Sequence, residues 1–115
     1  MEKLYLSAHL ERYERDFMRK GHKGWKNTGY YPQRPYSFLT AIEEIAKQYQ
    51  GPQRLLDLGS GLGLPVVAAA SQGIDSTGLE INSLLFEGSK GLITQSYENQ
   101  MIPPEALCTV RNKSY

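Results

Sequence analysis

The run Leu55-Leu56-Asp57-Leu58-Gly59-Ser60-Gly61-Leu62-Gly63 constrains this chain more than any other stretch. A short apolar segment meets three glycines at alternate positions, and an alanine-rich stretch from Leu64 to Gln72 follows. Alternate glycines suit a sharp strand-to-helix turn, because glycine reaches positive φ freely and lets backbone approach a ligand. The helix after such a turn presents unpaired N–H groups and the positive end of its dipole. That end receives a carboxylate or a phosphate equally well. Glu80 lies seventeen residues beyond Gly63, within the next strand-like segment, Ser76 to Ile81. In a nucleoside-binding β-α-β unit, an acid at that place accepts hydrogen bonds from the ribose hydroxyls.

The rest of the pattern extends this unit. Pro65 is tolerated in the first turn of the helix, and Gly73 ends it. A further helix runs from a cap at Asn82 or Ser83 to about Asn99, although Gly88 and Gly91 each cost it roughly 1 kcal/mol against alanine. Pro103-Pro104 breaks that helix, and Ala106 to Arg111 reads as a third strand. Upstream, Leu6, Leu10, Tyr13 and Phe17 form one stripe of a helix over residues 3–20, stopped by Gly21. Its other face carries Glu11, Arg12, Glu14, Arg15 and Asp16, where Glu11–Arg15 and Arg12–Asp16 can pair. Residues 21–36 read as an irregular loop rich in Tyr and basic side chains. A second helix spans Ser37 to Tyr49, with Ser37 as N-cap, a seam of Phe38, Ile42, Ile45 and Tyr49, and Gly51-Pro52 as its stop.

Two helices followed by β-α-β-α-β define an α/β chain. Three strands of this kind form the first half of a doubly wound parallel sheet, whose crevice opens at the carboxyl ends of the strands. The chain divides into an N-terminal helical segment over 1–50 and a partial doubly wound domain over 51–115. With 115 residues there is room for one domain. Lys+Arg number 13 and Asp+Glu 12, a net charge of +1 that argues against a protein whose main task is coating nucleic acid. No apolar stretch is long enough to span a membrane. One cysteine and no secretory pattern favour a reducing, cytoplasmic setting.

Two ligand classes compete for the glycine turn. The dinucleotide fingerprint G-x-G-x-x-G, aligned on Gly59 and Gly61, requires a small residue where this chain has Leu64. Asp57 with Gly59, Gly61 and Gly63, joined to Gly78-Leu79-Glu80-Ile81-Asn82, instead resembles the class I S-adenosylmethionine-dependent methyltransferases. The resemblance covers roughly residues 30–111. It implies a Rossmann-like domain with S-adenosyl-L-methionine as cofactor. Gly59, Ser60, Gly61 and Gly63 would then form the loop at its amino-acid portion. Asp57 would brace that loop and reach the ammonium through water, Glu80 would accept both ribose hydroxyls, and Ile81 would flank the adenine. Tyr31, in Tyr31-Pro32-Gln33-Arg34-Pro35, looks like part of the segment that covers the cofactor from outside in this family. The wording from Asp57 to Asn82 is also similar to branches that methylate protein lysines.

Methyl transfer depends mainly on proximity and orientation, so no catalytic residue is assigned. The chain departs from the family pattern in two places. No acid follows the third strand, where Arg111-Asn112-Lys113-Ser114-Tyr115 stands, and a fourth strand is absent. On that pattern the chain holds the cofactor half without the substrate half. The rival expectation is a non-catalytic module that pairs with another chain through an exposed edge strand at Ala106 to Arg111. Arg19 to Lys26, basic with Trp25, reads as a solvated loop before it reads as a nucleic-acid contact. His9 and His22 lack partners at metal-ligand spacing, so no metal site is expected. Cys108 reads as a small buried side chain.

Overall fold

The computed structural model describes residues 3–19, 28–49 and 53–114; Gly21, His22, Trp25 and the Gly51-Pro52 stop lie outside the described residues. Strands β1 (Arg54–Leu58), β2 (Asp75–Leu79) and β3 (Cys108–Arg111) form one parallel sheet in the order β1-β2-β3. Helix α3 (Leu64–Ser71) joins the first pair and α4 (Ser83–Glu98) the second. Successive right-handed crossovers that step the same way lay their helices on one face of a sheet. Gly63, leading into α3, lies close to both Ser89 of α4 and Val110 of β3, which places both helices over that face.

The two faces of the sheet therefore differ. On the covered side Ser76, Gly78 and Cys108 are buried. A Cβ on Gly78 would fall 2.5 Å from Ser60 Oγ and 3.0 Å from Val66 Cγ2, so the turn and α3 sit directly on the strand. Helix α3 is apolar all round, with Leu64, Val66, Val67, Ala68, Ala69 and Ala70 each 0 % exposed, because it is enclosed between the sheet and other helices. The register aligns Leu56 with Thr77 and Leu58 with Leu79 on the opposite side. There Leu56 is 62 % and Leu58 49 % exposed.

Helices α1 (Lys3–Arg19) and α2 (Pro35–Gln48) form the outer layer. The α1 stripe is the one the spacing predicts, with Leu6, Leu10 and Phe17 buried and Tyr13 partly so. It seats on α4 at two glycines. A Cβ on Gly88 would meet Phe17 Cε2 at 2.8 Å, and one on Gly91 would meet Tyr13 Oη at 2.5 Å. Tyr13 Oη donates to Gly88 O at 2.6 Å. These glycines weaken the helix that contains them and admit the neighbouring one.

Four expectations are corrected. Helix α2 begins at Pro35 rather than Ser37, since proline suits a first helical turn, and its N-cap Arg34 makes no side-chain bond. Its buried stripe is Pro35, Leu39 and Ile42, while Ile45 and Tyr49 are exposed. Neither Glu11–Arg15 nor Arg12–Asp16 is among the ion pairs of the described residues, which are Lys3–Glu43, Lys47–Glu43, Lys47–Glu44 and Lys90–Glu87. Finally, β2 lies at the centre of the sheet, so β1 is a free edge as well as β3.

Candidate functional site

Strand β1 ends at Leu58, and the chain reverses through Gly59, Gly61 and Gly63 at φ +71°, +57° and +80°. Side chains other than glycine rarely adopt this left-handed region, so the alternate glycines are a backbone requirement. Gly59 N and Ser60 N both donate to Leu79 O at 2.9 Å, pinning the turn to the end of β2. Gly63 N donates to Ser60 O at 2.8 Å. The N-cap of α3 is Gly63, which has no side chain to cap the helix. Val67 N, bonded to Gly63 O at 3.0 Å, is the first α3 amide with a helical acceptor. The amides of Leu64 and Val66 before it have no helical acceptor, as the first N–H groups of any uncapped helix do not, and both residues are buried.

Glu80 stands one residue beyond β2, which stops at Leu79 rather than at Ile81. It is 7 % exposed. Its Oε1 accepts from Gly61 N at 2.7 Å and its Oε2 from Asn82 N at 2.9 Å. A carboxylate has about four lone-pair sites, so two remain for other donors. Asn112, just past β3, donates through Nδ2 to Glu80 O at 2.9 Å and Ile81 O at 3.1 Å. All three strand ends thus meet at Glu80. Asp57 is partly buried in β1, and burial, reinforced by the charge of Glu80, raises its pKa above the usual carboxylate value.

A roof closes the site. The ring of Tyr30 lies over Gly61, where a Cβ would approach Tyr30 Cε1 to 2.8 Å. Tyr30 Oη donates to Glu14 Oε2, and Gln33 N donates to the same oxygen at 3.0 Å. Burial, then the bond to Glu14, then its charge, push the Tyr30 hydroxyl far above the phenolic range. Gly59, Gly61, Glu80, Leu85, Gln33 and the Thr28–Pro32 strip enclose a cleft of about 380 Å³.

Of the residues singled out from the sequence, Gly59, Gly61, Glu80 and Tyr31 line this cleft. Gly63 and Asp57 are not among its lining residues. Ile81 is 66 % exposed beside Glu80, and Tyr31 is 81 % exposed. Ser60 is 1 % exposed, with its hydroxyl against Gly78 and its N–H committed to Leu79 O, so it faces the interior and not the cleft. Gln33 belongs to the Tyr31–Pro35 segment that the resemblance points to, whereas nothing in the sequence marks Tyr30 or Glu14 for the site. For burial, the hint available was position 14, next to the stripe residue Tyr13 on a helix whose exact edge spacing alone does not define.

Outside the cleft, burial raises the Cys108 thiol to about 11, which keeps it protonated near neutrality. No helix among the described residues is long and apolar enough to cross a membrane. Among those residues no group of three or more His, Cys, Asp or Glu gathers as a metal site would require.

Neither a family model nor a curated protein matches the chain. Among solved structures, YjhP from E. coli shares the fold with a TM-score of 0.54 and 21 % identity, over 84 % of this chain and 35 % of that one. The chain thus spans about a third of the length of that protein. The tRNA (uracil-54, C5)-methyltransferase of Pyrococcus abyssi, in complex with S-adenosyl-L-homocysteine, matches at a TM-score of 0.46 and 17 % identity, over 71 % of this chain and 19 % of that one. That second likeness is too slight to bear on function. What stands is the class: an α/β chain with a parallel, Rossmann-like sheet and its glycine turn at the carboxyl ends of the strands.

Proposed function

We propose that the cleft binds S-adenosylmethionine and that the chain is the cofactor-binding part of a class I methyltransferase. The observation that carries the reading is the meeting of a left-handed glycine turn and the buried carboxylate of Glu80 in one cleft, at the strand end that leads into α3. The donor set fits such a ligand. The glycine backbone at Gly59 and Gly61 lets the amino-acid portion approach closely, near the positive end of α3. The free lone pairs of Glu80 suit ribose hydroxyls, and Ile81 gives an apolar edge beside them for adenine. Asp57, whose ionised form is disfavoured in the protein alone, gains from a cationic ammonium nearby. Tyr31 contributes to the rim, and Ser60 only shapes the floor.

The cofactor would supply a sulfonium methyl for in-line transfer to a nucleophile. The part this chain takes is to hold and orient, which is where such a reaction gains its rate. A protein lysine is one acceptor class consistent with the Asp57–Asn82 wording, and the cytoplasm is the setting proposed. Titration calorimetry with S-adenosylhomocysteine tests the reading. Saturable heat that disappears with Glu80→Ala is expected; no heat at high micromolar ligand from a folded chain would overturn it.

A second reading, pairing with another chain, is favoured by the bare sheet face at Leu56 and Leu58 and by the two free edges. Parallel sheets are ordinarily covered on both sides. Sedimentation equilibrium distinguishes it. Self-association lost on Leu56→Glu supports pairing between copies, and a monomer at all concentrations removes that form of pairing.

A further inference from the structure

Glu14 is a buried acid in an unexpected place. It sits in α1, four residues after Leu10 and three before Phe17, on the buried face rather than the charged face where the sequence places it, and is 6 % exposed. Among the described residues no Lys, Arg or His lies within ion-pair distance of it. A buried carboxylate without a cation is costly unless it is well hydrogen-bonded. Both bonds it accepts come from the roof: the hydroxyl of Tyr30 and the N–H of Gln33, both on Oε2. Tyr30 then bears on Gly61, whose N–H holds Oε1 of Glu80. One continuous set of contacts runs from the outer helix to the carboxylate at the end of β2. Helix α1 is itself fixed independently, through Tyr13 on Gly88 and the buried Leu6, Leu10 and Phe17.

From this geometry we infer that Glu14 is a positioning residue for the cleft: it holds the 28–33 roof over the glycine turn and thereby sets the affinity for the nucleoside ligand. The inference rests on the cofactor reading above and adds to it a residue that touches no ligand. Because both donors reach one oxygen, an amide carbonyl can replace it, so Glu14→Gln keeps the roof and Glu14→Ala releases it.

The test combines S-adenosylhomocysteine calorimetry with hydrogen exchange of the Gln33 amide, on the whole chain. For Glu14→Ala the affinity is expected to fall about tenfold, the loss of one net hydrogen-bonded anchor, with far-UV dichroism unchanged. Exchange at Gln33 rises in parallel, while Glu14→Gln stays within about threefold of the wild type in affinity. Tyr13→Phe, which loosens α1 from α4 without touching the roof, is the control for general destabilisation. Should Tyr13→Phe lower affinity and Gln33 protection as much as Glu14→Ala does, or should Glu14→Ala leave affinity intact, the inference is wrong. If Glu14→Ala fails to fold, Tyr30→Phe serves in its place, with about a threefold loss expected and an unchanged affinity counting against the inference. If the wild type takes up no ligand, the cofactor reading has failed. The roof-holding role is then decided by exchange alone, where Gln33 protection lost in Glu14→Ala but kept in Tyr13→Phe supports it and equal protection refutes it.

Discussion

The molecule makes two strand-to-helix turns side by side, and they are built on opposite plans. The β2–α4 turn is closed with side chains. Asn82 caps α4, its Oδ1 accepting from Leu85 N at 3.1 Å, and its own N–H is held by Glu80. The β1–α3 turn is closed with backbone. It uses three left-handed glycines and leaves the start of α3 without a side-chain cap. Capping by Asn, Asp, Ser or Thr is the ordinary way to satisfy those amides. The turn that forgoes it presents bare glycine backbone, at Gly59 and Gly61, to the cleft. Glu80 belongs to both turns, one oxygen to each, and is where they are tied together.

The largest effect should come from untying them. Glu80→Ala leaves the Gly61 and Asn82 amides without their acceptor, and bonds to a charged group are worth about 1.5–3 kcal/mol each in such settings. Chemical denaturation is expected to show a loss of about 3 kcal/mol, less than the simple sum because water enters the gap. A loss below about 1 kcal/mol would mean that the junction is not held by this carboxylate.

Next comes Gly61→Ala in the backbone-built turn. Left-handed φ costs a residue with a side chain roughly 1–2 kcal/mol. The new Cβ also displaces Tyr30, so ligand affinity should fall along with stability. Asn82→Ala in the other turn is expected to cost about 1 kcal/mol, the usual value of a lost cap. It retains the N–H to Glu80, and affinity for S-adenosylhomocysteine should stay within about twofold. Equal damage to affinity from these two substitutions would break the comparison.

The smallest effect is expected at Asp57. Burial and the charge of Glu80 hold its folded pKa above the ordinary carboxylate value of 3.8, so the native state holds the proton more tightly than the unfolded chain does. Stability is therefore lost as pH rises through the folded value, and the ionised group disfavours the fold near neutrality. Asp57→Asn should raise Tm at pH 7, with the gain shrinking as pH falls towards 3.8. A Tm gain that is larger at acid pH would contradict that sign.

The glycine turn and Glu80 were legible in the sequence because each answers a local demand: positive φ at fixed positions, and an acid just past a strand. Element order and the parallel sheet followed from the same local signals. The roof was not legible to the same degree. Tyr31 is the residue that the family wording picks out, and it reaches only the rim at 81 % exposure, while Tyr30 packs on Gly61. Glu14 reads as solvent-facing among other charges, and its burial depends on a segment far from it in sequence. Leu56 and Leu58 belong to the apolar run and are nonetheless exposed, since β1 keeps one uncovered face and that depends on which way the crossovers step.

The account rests most heavily on the claim that the uncapped turn receives the ligand. An amide-resolved NMR titration of the whole chain with S-adenosylhomocysteine tests it most directly. The predicted result is saturable shifts concentrated at Gly59, Gly61, Gly63 and Leu64, with Ser83 to Phe86 in the side-chain-capped start of α4 moving little. Saturable shifts centred on α4 or on the bare face of the sheet, or no shifts at all with a folded chain, would contradict it.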